Sequence, residues 1–299
     1  MDGDHVIDLN RADPSLPARL LDLTDMGAPG LERAALVLER WSQGQLSPEA
    51  AGLQADLELM APVPEPSKVV AVGVNYLDHC REANIKPPRQ PVLFAKFPTS
   101  IIGPEAFIEW DPTLTSEVDY EAELAVVIGS RARRVSRAKA FDVILGYTCA
   151  NDVTARDLQH GDGQWVRGKS LDTFLPLGPA LVTKDEVPDP GNLAISCRVG
   201  GALLQDSRTS EMIFDIATLI EFITRAFTLL PGDVILTGTP HGVGAYRTPK
   251  VFLADGDSVE VEIEGLGVLR NRCLESRDHG SGAGPASSGI EGPIGSFRR

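Results

Sequence analysis

Residues 117–129 read EVDYEAELAVVIG, an alternating run that opens acidic and closes apolar. Side chains on a strand point to opposite faces in turn. A strand here puts Glu117, Asp119, Glu121 and Glu123 on one face and Val118, Tyr120, Ala122 and Leu124 on the other. The acidic face continues as Ala125, Val127 and Gly129. The strand is therefore expected to start at a surface and enter a core, with Glu121 and Glu123 at the core's mouth. Like charges two residues apart repel, and part-buried carboxylates are costly unless paired or bound to a cation. The next basic residue along the chain is Arg131. Either this face is solvated, or a divalent cation resolves the conflict. Carboxylate oxygens without His or Cys at ligand spacing select a hard ion, Mg²⁺, Mn²⁺ or Ca²⁺ over Zn²⁺. A third acid is needed. Asp152 follows the apolar run ILGYTCA and closes a second expected strand.

Outward from this run, further short β-like stretches appear from Lys68 onward. They are KVVAVGV (68–74), PVLFAKF (91–97), ILGYTCAND (144–152), PALVTK (179–184), LAISCRV (193–199), DVILTG (233–238) and DSVEVEIEGLGVL (257–269). Few helical patterns separate them, so regular βαβ alternation fails. The expected class is a β-rich α+β fold with mixed or antiparallel sheets. One long helix is expected over 211–227, with Ile213, Ile216, Ile220, Ile223 and Phe227 on its buried face and Ser210 as its cap. Residues 1–66 read as a small N-terminal domain ending in the proline-rich linker PVPEPS (62–67). Within it, HVIDL (5–9) suits a short strand and LERAALVLERW (31–41) a helix of about three turns. Residues 67–275 form the expected catalytic domain. Residues 276–299, rich in Gly and Ser, are expected to be a disordered tail.

The chain has 299 residues, enough to bury a core without disulfide or metal staples. Its net charge of −14 would repel a phosphate backbone, which argues against nucleic-acid partners. No apolar run is long enough to span a membrane. The opening MDGDHVIDLN lacks the basic and apolar regions of a secretory signal. Cys80, Cys149, Cys197 and Cys273 are far apart, so neither a disulfide framework nor a zinc site is expected, and a reducing cytoplasm is the simplest setting. GxSxG, HExxH and GxGxxG are absent, which removes serine-hydrolase, zincin and Rossmann readings.

Three other stretches can carry chemistry. In NYLDHCREA (75–83), Asn75 can cap a short helix on which His79 and Glu82 stand three apart and within reach of each other. A carboxylate beside an imidazole suits a general base, although a surface His near a surface Glu reads the same way. Lys169 sits in WVRGKSLDTFLPLGP (165–179), either snorkelling to the surface or anchoring an anion. The turn TGTPHGVG (237–244) is no phosphate loop, but its amides and the Thr239 hydroxyl can hold a carboxylate.

Together these pieces resemble the fumarylacetoacetate hydrolase family. The matching stretches run in order as NYLDHCRE, PVLFAKFPTSIIGP, VDYEAELAVVIG, NDVTARDLQ, QWVRGKSLDTFLPLGP, LLQDSRTSEMIF, LLPGDVILTGTPHGVG and IEGLGVLRN, across about residues 67–272. The resemblance implies twisted β-sheets rolled around each other behind a small N-terminal domain, a homodimer, and a catalytic Mg²⁺ or Mn²⁺. Its metal motif falls on Glu121, Glu123 and Asp152, and its catalytic residues on His79, Glu82 and Lys169. Gln159 and Thr239 match positions that contact substrate or water. One position departs: an Arg often precedes the Asn-Tyr of the lid motif in acylpyruvate-cleaving members, and here Val74 stands there. The activity expected first is hydrolysis of a C–C bond in a diketo acid of the acylpyruvate type, with the metal as Lewis acid for the enolate and His79 as base toward water. Decarboxylation of an oxaloacetate-like acid, or tautomerisation or isomerisation of a 2-oxo diacid, would use the same enolate chemistry. A non-catalytic metal- or ligand-binding protein is the remaining alternative.

Overall fold

A computed structural model describes residues 5–276. The expected disordered tail lies outside the described residues from 277 onward. The first elements are β1 (His5–Ile7), α1 (Leu9–Ala12), α2 (Leu20–Asp25), α3 (Ala28–Ser42) and β2 (Ala51–Leu53). Next come β3 (Val69–Gly73), α4 (Leu77–Glu82), β4 (Val92–Lys96), β5 (Ile101–Ile102) and β6 (Phe107–Trp110). The acidic run contributes β7 (Val118–Asp119) and β8 (Ala122–Ile128), followed by β9 (Ile144–Asn151) and β10 (Thr154–Ala155). Two short helices, α5 (Arg156–Asp162) and α6 (Val166–Lys169), precede β11 (Leu175–Thr183), β12 (Ala194–Val199) and β13 (Ala202–Arg208). The chain then forms α7 (Ile216–Ala226), β14 (Val234–Leu236), β15 (Ser258–Ile263) and β16 (Gly267–Glu275).

Two sheets dominate. A mixed seven-stranded sheet runs β4-β3-β14-β8-β9-β11-β5, and a five-stranded sheet runs β13-β12-β15-β16-β6. They share one apolar core to which α7 adds Ile216, Leu219, Ile220 and Ile223. The outer face of the seven-stranded sheet has its own core, built by Val69, Ala71, Ala125, Val127, Val234 and Leu236. Ala61 and Val63 join it from the proline-rich segment, and Leu21 packs on it from α2. The expected linker is therefore partly a cover for the sheet. This is a β-rich roll of mixed sheets, in the expected fold class.

The alternation across β8 follows directly from its sequence. Leu124, Val126 and Ile128 face the core between the sheets, while Ala125 and Val127 face the outer core. The strand is not continuous, however. It breaks at Tyr120–Glu121 between β7 and β8, where Tyr120 buries its ring and donates to the Gly242 carbonyl (3.0 Å). Glu117 lies outside the strand, 3.8 Å from Lys250.

Two local readings are corrected. The helix expected from residue 211 starts at Ile216, and its cap is Asp215, which accepts from the Thr218 amide (2.9 Å). Ser210 lies in a separate 3-10 turn, Thr209–Glu211. Residues 212–214 are instead drawn out against the segment before α4. The Ile213 amide donates to the Asn75 carbonyl (2.8 Å) and the Phe214 amide to Asn75 Oδ1 (2.9 Å). Tertiary pairing thus overrides an apolar periodicity that reads as helix. For the same reason Asn75 caps nothing. Its amide donates to the carbonyls of Thr237 (2.8 Å) and Phe214 (3.1 Å), and Tyr76 occupies the cap position of α4.

Candidate active site

Glu121, Glu123 and Asp152 converge at one end of the seven-stranded sheet. Each offers an oxygen within 4.8 Å of the others, and all three are buried. The backbone explains the convergence. β8 and β9 pair antiparallel with Glu123 opposite Ala150, so the start of one strand meets the end of the other. There the Asp152 amide donates to the Glu121 carbonyl and the Glu121 amide to Asn151 Oδ1, each at 2.9 Å.

Cations reach this cluster from segments distant in sequence. Lys169 Nζ, at the end of α6, donates to Glu121 Oε2 (2.7 Å) and Asp152 Oδ2 (2.8 Å). Lys96, at the end of β4, places Nζ 2.7 Å from Asp152 Oδ1 and donates to the carbonyls of Val153 (3.1 Å) and Lys169. Arg156 Nη2 lies 2.6 Å from Glu121 Oε1, while Nε donates to Asp119 Oδ2 (2.8 Å) and Nη1 to Gln159 Oε1 (3.1 Å). Two of these contacts are ionic rather than directional, since neither Asp152 Oδ1 nor Arg156 Nη2 has an aligned hydrogen bond. Lys96 and Arg156 carry no local signal as partners of the acidic run; only the fold brings them in.

The electrostatics are uneven. Burial and the neighbouring Asp152 and Glu121 charges hold Glu123 well above the usual carboxylate range, with one backbone bond from Gly238 (2.7 Å) in partial relief. Burial would raise Glu121 too, but Lys169 and Arg156 outweigh it and hold Glu121 below that range. Burial pulls Lys96 down, whereas at Lys169 the same effect is exceeded by Asp152 and Glu121, so Lys169 is raised. Asp119, Glu121, Glu123 and Asp152 are thus four buried acids facing three buried cations. An all-oxygen cluster with one acid more than its cations fits a hard dication.

Helix α4 supplies the second part. His79 Nδ1 stands 3.6 Å from Glu82 Oε2, outside hydrogen-bond reach, and has no other partner. Glu82 is fixed by the Gly242 amide, which lies 3.0 Å from both carboxylate oxygens. Burial would raise Glu82, but His79 and this amide leave it lowered. The amides of the turn at 237–244 do hold carboxylates, and the carboxylates are the protein's own. Gly238 binds Glu123, Gly242 binds Glu82, and Gly244 binds Asp119 (2.7 Å). Gly242 must be glycine, since its φ is +96° and a Cβ would lie 2.1 Å from the Leu204 carbonyl oxygen.

A cleft with about 100 Å³ of accessible space joins the parts. His79, Glu121, Glu123, Lys169, Gln159 and Thr239 all line it, and Glu82 stands behind His79. Asp152 lies beneath, fully buried. Thr239 Oγ1 accepts from Gln205 Nε2 (2.9 Å). Every residue singled out from the sequence is therefore at or next to one cleft. A larger cleft, about 690 Å³, lies by Phe141, Tyr147 and Lys184 and contains none of them.

Comparison with known proteins places the chain among relatives of similar sequence and fold. Residues 68–274 match the model of the fumarylacetoacetate (FAA) hydrolase C-terminal family. The mitochondrial oxaloacetate tautomerase fahd2 of Xenopus laevis is 47% identical over 272 residues, 90% of this chain and 83% of that protein. The 2-hydroxyhepta-2,4-diene-1,7-dioate isomerase of Mycobacterium marinum superposes with a TM-score of 0.68 at 46% identity, over 76% of this chain and 82% of that one. The fumarylacetoacetate hydrolase of psychrophilic Exiguobacterium antarcticum gives a TM-score of 0.77 at 38% identity, over 91% and 92%. Among the described residues no helix is long and apolar enough to cross a membrane.

Proposed function

The chain belongs to the fumarylacetoacetate hydrolase family, and from that membership we propose that it is a metal-dependent tautomerase of a 2-oxo diacid of the oxaloacetate type. The reading rests on one observation: a buried three-carboxylate cradle and a His–Glu pair share one cleft. The relative named as an oxaloacetate tautomerase supports it. It reverses the order expected from the sequence, where C–C hydrolysis stood first and tautomerisation second.

Glu121, Glu123 and Asp152 would hold Mg²⁺ or Mn²⁺. When bound, the dication supplies a Lewis acid for charge developing on the 2-oxo oxygen. Keto–enol exchange moves one proton from C3 to that oxygen and breaks no carbon–carbon bond. His79 takes and returns the proton. Glu82, itself held by Gly242, is the carboxylate facing the imidazole, 3.6 Å from Nδ1. Lys169 and Arg156 offset the substrate's carboxylates, and Gln159 and Thr239 orient it from the cleft wall. The homodimer and the boundaries at residues 66 and 275 belong to the same proposal.

The hydrolase reading is kept because a fumarylacetoacetate hydrolase superposes over nearly the whole chain. It would use the same groups with His79 as the base toward water. Enol oxaloacetate and an acylpyruvate, each assayed with Mg²⁺ or Mn²⁺ and then with EDTA, separate the readings. The tautomerase predicts EDTA-sensitive decay of the enol absorbance without pyruvate release. Faster acylpyruvate cleavage would restore the hydrolase, and no metal-dependent turnover of either would leave a binding protein.

A further inference from the structure

The stretch QWVRGK places Trp165 and Lys169 one helical turn apart, so both project from the same side of α6. Lys169 reaches the carboxylate cradle, and Trp165 lines the same cleft. The indole meets the Phe94 ring edge-on, with centroids 5.3 Å apart and an interplanar angle of 73°. It also lies over Gly73 at the end of β3, where a Cβ would stand 2.4 Å from Trp165 Cζ3. The next residue, Val74, has φ +55°, a conformation that costs a β-branched side chain. The turn brings Val74 into the cleft lining beside Ile85. Val74, Ile85, Phe94 and Trp165 thus form an apolar stretch of a lining that also holds His160, and the cations Arg156 and Lys169 stand at the cradle.

We propose that Trp165, seated on Gly73, is the specificity-determining residue that limits substrate length, selecting oxaloacetate-sized 2-oxo diacids over longer ones. This deepens the tautomerase reading and rests on it. A substrate's carboxylates find Arg156 and Lys169 only near the cradle. Each added methylene drives the distal carboxylate toward Val74, Ile85 and the ring carbons of Phe94 and Trp165, which offer it no counter-charge. One methylene at a tight pocket wall changes binding by roughly 10–200-fold.

The test is calorimetric binding of oxaloacetate, 2-oxoglutarate and 2-oxoadipate in the presence of Mg²⁺, each one methylene longer than the last. The wild type is expected to bind 2-oxoadipate at least about tenfold more weakly than oxaloacetate. Trp165→Ala should narrow that gap to under about threefold, and Trp165→Phe should give an intermediate gap, since the opened wall grows with the ring volume removed. The gap is a ratio within one variant, so a loss of stability alone does not move it, and Trp165→Phe serves if Trp165→Ala does not fold. Equal binding of all three acids by the wild type, or a gap unchanged in both variants, would overturn the inference. Graded binding without turnover of oxaloacetate would sink the tautomerase instead and leave the role of Trp165 standing.

Discussion

The carboxylate cradle and helix α4 face one cleft but are held in opposite ways. Glu121, Glu123 and Asp152 are at most 6% exposed and locked among Lys96, Lys169 and Arg156. Helix α4 is fastened at its rim. Asp78 Oδ2 accepts from the Ser207 hydroxyl (2.5 Å), Arg81 pairs with Glu211 (2.8 Å) and Glu82 takes the Gly242 amide. Leu77 and Ile85 are exposed on either side. Buried ion networks are rigid and costly to break, whereas part-exposed bonds open at small cost. The carboxylate half of the site is thus fixed by buried ion pairs, and the proposed base His79 stands on a helix held by part-exposed bonds.

On that contrast, cradle substitutions are expected to damage metal affinity and stability together, and α4 substitutions rate alone. Asp152→Ala is expected to have the largest effect. It removes a proposed metal ligand and strands two ammonium groups, and kcat/KM should fall about 10³-fold or more. Lys169→Met leaves Glu121 and Asp152 without their shared partner, and urea unfolding of the metal-free protein should show a loss of about 3–5 kcal/mol. A loss under about 1 kcal/mol would mean a solvated, loosely held cradle, as surface pairs behave. His79→Ala should lower kcat by roughly 10²–10⁴-fold. Its Mn²⁺ affinity and unfolding midpoint should stay at wild-type values; a parallel fall in metal affinity would erase the distinction between the two halves. Ser207→Ala is the mildest, removing one hydrogen bond worth about 0.5–1.5 kcal/mol. Hydrogen exchange should quicken at amides 77–82 and stay unchanged in β8 and β9.

Much of this was legible in the sequence, and the reasons differ by residue. Period-two alternation placed Glu123 with Ala125 and Val127, because a strand entering a core cannot switch faces without a bulge. Asp152 was legible as the end of an apolar strand. His79 and Glu82 were legible because three residues is a local spacing on a helix. Lys96 and Arg156 were not, because the pairing that seats them is set by sheet order rather than by neighbours in sequence. The break at Tyr120 and the late start of α7 share that cause. In both, hydrogen bonds to distant segments replace the local pattern. Trp165, one turn before Lys169, carries no signal of its own in the sequence, because its proposed role depends on the missing Cβ of Gly73.

The claim beneath all of this is that Glu121, Glu123 and Asp152 grip one hard dication. Mn²⁺ titration followed by electron paramagnetic resonance tests it most directly, with wild type and Glu123→Gln side by side. The expected result is one tight Mn²⁺ per chain, displaced by excess Mg²⁺ and lost in Glu123→Gln. Absence of tight binding in the wild type, or equal binding by the variant, would contradict it.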